Sequence, residues 1–328
     1  MKLLLKPMRW LFLGPQLLSG IGQVTARYAR LMREAGHEAD YVVIGDLPPR
    51  QEYDKCFAFV LPLPEYLEKC GKYACFCKTT MMRMTICETE TVHTNYGLLM
   101  GNEPILVASD YCKKVFEKQF PNNCFKIVHL WADPTPLPKE PVDISGVPPG
   151  AYVFYTIGNI SDFRKNIRMF MEAFVRCGFE PGTAWMLFKA TTREPVRAAF
   201  PSLTIVQGLL TEGQMESIHE AGHCYVNCSH SEGVGMGAVE AALRNKPVII
   251  TDYGGLKEYV ETPYVVRTTP CEVGRDDFLF TKDQVWGAPD INDLITHMKH
   301  AYDNKVYFAA NGFTGGVMAG VVSELESQ

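Results

Sequence analysis

No stretch of this 328-residue chain approaches the roughly 20 consecutive apolar residues of a membrane-spanning helix. Nor does one sign of charge dominate. Lys and Arg number 32 against 37 Asp and Glu, a formal net charge of −5 with a pI near 5.9, so no global field would hold a polyanion or a membrane surface. The acidic excess lies in the second half, which leaves any basic binding surface local and more at home in the first. Internal repeats and low-complexity tracts are missing as well.

Metal-ligand spacing is equally scarce. The 11 cysteines occur at irregular intervals, and in the densest cluster, Cys70, Cys75, Cys77 and Cys87, the middle pair is separated by a single residue where common zinc sites use two to four. His223, Cys224, Cys228 and His230 flank a strand-like run and are better placed to pack. An odd cysteine count without a secretory leader predicts reduced thiols in a cytoplasm. The opening MKLLLKPMRWLFLGP superficially resembles a leader, but Lys6, Pro7 and Arg9 interrupt its apolar run and no small-x-small cleavage site follows. It reads as a short tail entering the first strand of a soluble, cytoplasmic protein.

What is present is the composition of an ordinary globular protein, 47% hydrophobic and 21% charged, in a chain long enough for two domains of about 150 residues each. Met8 to Gly14 reads as a buried strand, Ser19-Gly20-Ile21-Gly22 as a small-residue loop, and the following segment as a helix. Val24, Tyr28, Leu31, Met32 and Ala35 share one helical face, and Gly36 provides a stop. Tyr41 to Ile44 completes a βαβ unit, the building block of a parallel sheet covered by helices. Ile105 to Ala108 is a further strand, Ser109 caps a helix through Phe116, and Ile127 to Leu130 offers another strand. The segment from Cys56 to Ile86 gives no clear period.

Residues 133–150 hold six prolines and read as an extended connector, so the domain boundary is placed at 148/149. In the second half, strands are expected at Tyr152 to Ile157, Ala184 to Lys189, Thr204 to Gln207, His223 to Asn227, Pro247 to Thr251 and Tyr264 to Arg267. Helices are expected at Asn166 to Cys177, after a Thr211/Gln214 capping box toward Ala221, at Gly237 to Arg244 and at Asp290 to Tyr302. Two doubly wound α/β domains result.

The strongest local signal is Ser231-Glu232-Gly233-Val234-Gly235-Met236-Gly237-Ala238-Val239-Glu240. It links a strand to a helix, so it falls at the carboxyl edge of a sheet, where open α/β sheets bind ligands. Glycines admit an anion close to main-chain N–H groups, and a helix start adds donors and a positive dipole end. Carboxylates accept hydrogen bonds from paired hydroxyls. Glu232 can therefore hold a sugar and Glu240, eight residues on, a ribose, with a diphosphate between them. A glycine-rich turn followed by a solvated helix is the alternative.

The pattern continues through Asn245-Lys246-Pro247-Val248-Ile249-Ile250-Thr251-Asp252-Tyr253-Gly254-Gly255-Leu256-Lys257-Glu258-Tyr259-Val260, and the whole stretch resembles the E-x7-E region of family 4 retaining glycosyltransferases (glycosyl transferases group 1). Tyr155-Thr156-Ile157-Gly158-Asn159-Ile160-Ser161-Asp162-Phe163-Arg164-Lys165-Asn166 is similar to the first strand and phosphate loop of that family's donor domain. Lys165 matches the family lysine. The family's frequent arginine after the glycine is Asn159 here, which leaves open whether Arg164 supplies the second positive charge. In the first half, Met84 to His93 and Leu106 to Cys112 are similar to stretches of the acceptor domain, and Gly20 and Gly22 match its glycine loop.

The resemblance implies a GT-B fold, two Rossmann-like doubly wound domains (1–148 acceptor side, 149–328 donor side) facing each other across a cleft. It implies transfer of a sugar from a nucleoside diphosphate, UDP- or GDP-linked, with retention of configuration and no dedicated protein nucleophile. Glu232, Lys165, Arg164 and His93 are its implied catalytic residues. Gly20, Gly22, Lys165, Glu232, Gly233, Val234, Gly235, Met236, Gly237 and Glu240 are its donor-binding residues, and Glu88 and His93 its acceptor-side candidates. No cofactor and no metal are implied, and Glu88-Thr89-Glu90 is a poor substitute for an Asp-x-Asp motif. The acceptor stays open among a glycan, a lipid-linked sugar, a small molecule, a protein and a modified nucleic-acid base. Rival readings are a sugar phosphorylase or nucleotide-sugar epimerase of the same fold, or a non-catalytic nucleotide-sugar binding protein. A dinucleotide-dependent oxidoreductase is disfavoured because Gly20-Ile21-Gly22 lacks the third glycine. The usual family helix that closes the chain is hard to place, since the tail contains Gly312, Gly315, Gly316 and Gly320.

Overall fold

The computed structural model describes residues 6–17, 19–192, 196, 200–277, 279–304 and 320–328. They form two units: the described residues of Met1–Ala132, Glu272–Gln284 and Gly316–Gln328 make the first, and those of Asp133–Cys271 and Val285–Gly315 the second.

Unit 1 contains β1 (Arg9–Gly14), α1 (Gly20–Glu34), β2 (Glu38–Val43), β3 (Lys55–Phe59), α2 (Pro64–Gly71), β4 (Met82–Thr85), β5 (Ile105–Val107), α3 (Asp110–Gln119) and β6 (Phe125–Ile127). Its six-stranded sheet runs in the order β2-β1-β3-β4-β5-β6 with parallel pairing throughout. Trp10, Leu11, Phe12 and Leu13 are all fully buried, which is why β1 shows no alternation: both faces of a parallel strand are covered. Ser19 caps α1 by accepting the Gly22 N–H at 2.9 Å, and Val24, Tyr28, Ala29 and Met32 are buried along the helix. Ala35, expected on the same face, is exposed at the helix end.

The segment without a clear period holds β3, α2 and β4. Cys56 of β3 is disulfide-bonded to Cys77, which corrects the expectation that every thiol is reduced; a Tyr53–Cys77 bridge aligns the two segments. Cys70, Cys75 and Cys87 are free thiols. The strand expected at 127–130 is observed earlier, at Phe125–Ile127.

Unit 2 contains β7 (Tyr152–Gly158), α4 (Ile167–Cys177), β8 (Ala184–Ala190), β9 (Leu203–Gln207), α5 (Glu212–Ala221), β10 (Cys224–Val226), α6 (Met236–Leu243), β11 (Val248–Thr251), β12 (Val265–Val266), β13 (Thr268–Glu272), β14 (Val285–Pro289) and α7 (Ile291–Asn304). The sheet order is β12-β11-β10-β7-β8-β9, again parallel. Read from β7, this is the 3-2-1-4-5-6 order of a doubly wound dinucleotide-type sheet, whose direction of growth reverses between β7 and β10. β13 and β14, a separate two-stranded sheet, lie outside the strands expected from the sequence. The expected capping box is present: Gln214 N–H donates to Thr211 Oγ1 and Thr211 N–H to Gln214 Oε1, both at 3.1 Å. The proline-rich stretch is extended and lies along α5, where Ser217 Oγ donates to Glu140 O at 2.6 Å.

The chain ends in α8 (Val321–Glu326), which packs in unit 1. Val321 and Leu325 are fully buried. Glu326 meets His37 Nε2 at 2.9 Å, while Glu324 takes the His129 N–H at 2.8 Å and its Nδ1 at 2.7 Å. That donation to a side chain helps explain why β6 stops at Ile127 instead of running on. Gly312, Gly315 and Gly316 of the tail lie outside the described residues. Among the described residues no helix is long and apolar enough to cross a membrane.

Candidate functional site

Two loops meet at the β7/β10 switch point of unit 2. The first leaves β7 at Gly158, whose φ of +152° turns the chain out of the sheet, and it closes on a 3-10 turn at Phe163–Lys165. Asp162 fixes that turn by accepting the Arg164 N–H at 2.9 Å, and Asn166, left-handed with φ 52°, begins α4. The second loop runs from Asn227 to Gly235 and leads into α6. Carboxyl ends of parallel strands at a switch point form a crevice that ligands use. A hollow there is lined by Gly158, Lys165, Asn227, Ser229 and Glu232.

Glu232 is the centre of this arrangement. It is 4% exposed, and both of its oxygens are engaged. Oε1 accepts from Lys165 Nζ at 2.5 Å, Ser229 Oγ at 2.8 Å and Asn227 Nδ2 at 3.3 Å. Oε2 accepts from Arg164 Nη1 at 2.9 Å, which also donates to Ser231 O at 2.7 Å. Burial alone would raise the carboxyl's pKa, but the Lys165 and Arg164 charges and their hydrogen bonds outweigh it and hold Glu232 well below the usual carboxylate range. The carboxylate is therefore ionised at neutral pH.

The two cations differ in access. The Lys165 side chain keeps 21% of its surface, whereas Arg164 keeps 9% and is tied to the backbone of the second loop. Behind Arg164, His230 N–H donates to Arg164 O at 2.8 Å. The His230 ring stacks on Trp286 at 4.7 Å, and burial lowers its pKa.

Within the glycine-rich loop, Gly233 and Val234 are buried while Gly235, Met236 and Gly237 are partly exposed, so the accessible main chain is the α6 start. Gly235 adopts φ 78° and no side chain caps the helix. Gly237 has a packing reason for lacking a side chain, since a Cβ there would lie 2.3 Å from Tyr225 Oη. Gly254, at φ +91°, would place a Cβ 2.3 Å from Glu232 O, and Gly255 N–H donates to that same oxygen at 2.9 Å. The downstream glycine pair thus secures the Glu232 backbone.

Glu240 lies on α6, 9% exposed, with His219 Nε2 at 3.8 Å. His219 in turn meets Tyr155 Oη at 2.9 Å. Arg244, one turn on, pairs with Glu216.

The remaining candidates belong to unit 1. Gly20 starts α1 with open space around it. A Cβ on Gly22 would lie 2.5 Å from Gln16 O, so this residue is required by close backbone approach. Glu88 and His93 follow β4. Glu88 is half-buried next to the buried Cys87/Cys112 pair, and the His93 imidazole accepts the Asn95 N–H at 3.1 Å. Unit 2 brings together Arg164, Lys165 and Glu232 with the glycine-rich loop. Among the described residues no group of three or more His, Cys, Asp or Glu is arranged to hold a metal.

Residues 151–279 match the family model "Glycosyl transferases group 1". The match lies almost wholly in the second unit, which is therefore similar to a group 1 glycosyltransferase domain. The fold of the chain as a whole agrees. Sucrose-phosphate synthase from Thermosynechococcus elongatus superposes with a TM-score of 0.63 at 13% identity, covering 99% of this chain and 99% of its own. WaaG, a glycosyltransferase involved in lipopolysaccharide biosynthesis, gives 0.53 at 11% identity over 96% and 95%. TarM gives 0.55 at 13% identity over 83% of this chain and 53% of its own. No curated protein matches by sequence. The architecture is GT-B.

Three polar residues of unit 2 are not among the residues the sequence motifs single out. Asn227 and Ser229 donate to Glu232, and Ser229 in particular reads in sequence as an ordinary loop residue. Lys189 is the third, and its signal was available: it is the one charge in the otherwise apolar β8 strand Ala184–Ala190.

Proposed function

We propose that the chain is a glycosyltransferase that moves a sugar from a nucleoside diphosphate to an acceptor hydroxyl with retention of configuration, and that the donor occupies the β7/β10 switch point. The bond between the anomeric carbon and the diphosphate breaks, the acceptor oxygen bonds to that carbon on the same face, and the acceptor proton passes to the departing phosphate. The observation that carries the reading is the Lys165–Glu232–Arg164 cluster beside an uncapped, glycine-entered helix start.

The cations carry unequal parts in this reading. Lys165, the more accessible of the two, turns from Glu232 toward the diphosphate and stabilises its growing charge. Arg164 stays on Glu232 and Ser231 O and keeps the second loop in place, which makes it a positioning residue. Glu232 serves as their shared counter-charge, and the acceptor position on Oε1 that Lys165 vacates takes a hydroxyl of the transferred sugar. Glu240 accepts from the ribose hydroxyls, and the N–H groups at Gly235 to Gly237 receive phosphate oxygens. Glu88 and His93 are assigned to the acceptor side, the acceptor being a glycan, lipid-linked sugar, small molecule, protein or modified base.

The test is incubation with a panel of UDP- and GDP-sugars and candidate acceptors, followed by mass spectrometry. A glycosylated product of retained configuration, lost in Glu240→Ala and Lys165→Ala, supports the assignment. Free sugar phosphate or an epimerised donor as the sole product refutes it.

A further inference from the structure

Lys189 is buried, 3% exposed, one residue from the carboxyl end of β8. It pairs in register with Ile157 of β7 and Val206 of β9. Residues in register on parallel strands face the same way. Phe154, Met186 and Phe188 belong to the core that α4 and α7 cover, so Lys189 lies on the opposite face. On that face Tyr155 meets His219 of α5 and α6 carries Glu240. Among the described residues its ammonium has neither a hydrogen-bond partner nor an ion pair at contact distance, and burial lowers its pKa while the Glu240 charge acts to raise it. An apolar side chain, as at the neighbouring β8 positions, would satisfy the packing without that cost.

A buried donor within the electrostatic reach of a carboxylate, but not in contact with it, fits a ligand between the two that offers oxygen acceptors and O–H donors together. A vicinal diol does both. The diphosphate already has Lys165, on the loop that follows β7, whereas Lys189, on the face of the sheet that α5 covers, lies within the electrostatic reach of Glu240. We propose that Lys189 is a nucleoside-recognition residue, its ammonium donating to the ribose hydroxyls whose protons Glu240 accepts, so that the diol sits between opposite charges. This rests on the assignment of Glu240 to the ribose.

The experiment compares binding of UDP, GDP and their 2′-deoxy counterparts to wild type, Lys189→Met and Glu240→Gln, with the melting temperature of each ligand-free protein. The expected result is that Lys189→Met weakens ribonucleotide binding about tenfold or more and shrinks the preference for ribose. Its ligand-free melting temperature stays level or rises, because a buried charge has gone. Lys189→Gln, which keeps a donor without the charge, reads the same comparison if the methionine variant does not fold. Retention of the full ribose preference in the Lys189 variants, with a lowered ligand-free melting temperature, makes the lysine structural and overturns the proposal. If Glu240→Gln loses the preference while Lys189→Met keeps it, only the lysine's role fails. If wild type binds none of the nucleotides, or Glu240→Gln keeps the preference, the ribose assignment fails and takes this proposal with it.

Discussion

The Lys165 ammonium lies 2.5 Å from the Glu232 carboxylate, a contact made across the β7/β10 switch point by two residues 67 apart in sequence. In the proposed reading, a diphosphate entering the crevice would meet a cation that is already neutralised by Glu232, and would have to compete for it. The arrangement keeps a buried carboxylate ionised and holds the more accessible of its two cations at the crevice.

Lys165 and Arg164 should separate activity from stability. Lys165→Met is expected to lower kcat/KM for the donor by about 10²–10³-fold, the range for losing one preorganised charge at a leaving group. Glu232 keeps Arg164, Ser229 and Asn227, so the fold persists. Steady-state kinetics with thermal melting of the same preparation check both halves.

Arg164→Met removes the other partner of a buried pair and leaves Ser231 O without its donor. The expected loss is about 3–5 kcal/mol of unfolding free energy, larger than for Lys165→Met, and urea titration of the two variants measures the difference. Equal losses would remove the distinction between a positioning arginine and a phosphate-facing lysine.

The depressed pKa of Glu232 sets a direction for pH. A carboxyl whose folded-state pKa lies below its unfolded value of 4.5 contributes stability above the unfolded value, and loses it progressively as the medium is acidified toward the folded one. The stability difference between wild type and Glu232→Gln should therefore be constant from pH 7 to about 5 and narrow below about 4.5. Denaturation across that range reads it; a difference that widens on acidification contradicts the ion-pair geometry.

Gly20 and Gly22 should respond oppositely to alanine. Gly20 has open space where a Cβ would go, while at Gly22 it would lie 2.5 Å from Gln16 O and 2.7 Å from Pro15 O. Gly20→Ala is expected to change stability by less than about 1 kcal/mol. Gly22→Ala should cost about 1–3 kcal/mol through overpacking, as a lower melting temperature would report.

Much of unit 2 was legible because its strands are continuous apolar runs punctuated by caps: the Thr211/Gln214 box and β7 and β8 fall close to where the pattern puts them. Two members of the cluster, Glu232 and Lys165, stand in the motifs that local spacing picks out, and the fold brings them into contact. The chemistry was hidden where it depends on contacts between distant segments. Nothing local marks Ser229 as a donor to Glu232, or Arg164 as a clamp on Ser231. The glycines were a mixed signal, since Gly237 and Gly22 are explained by Tyr225 and by the Gln16 backbone. In unit 1, β3 and β4 were missed because the stretch from Cys56 to Ile86 breaks its short apolar runs with charges, prolines and cysteines and carries no period, and a disulfide between Cys56 and Cys77 depends on a register that only the folded sheet supplies.

Calorimetric titration of wild type and Lys165→Ala with UDP and GDP tests the central claim most directly. The account expects one of the two nucleotides to bind wild type at a single site, and the variant to bind it at least about tenfold more weakly while remaining folded. Failure of wild type to bind either nucleotide, or an unchanged dissociation constant in the variant, would contradict a donor site at the β7/β10 switch point.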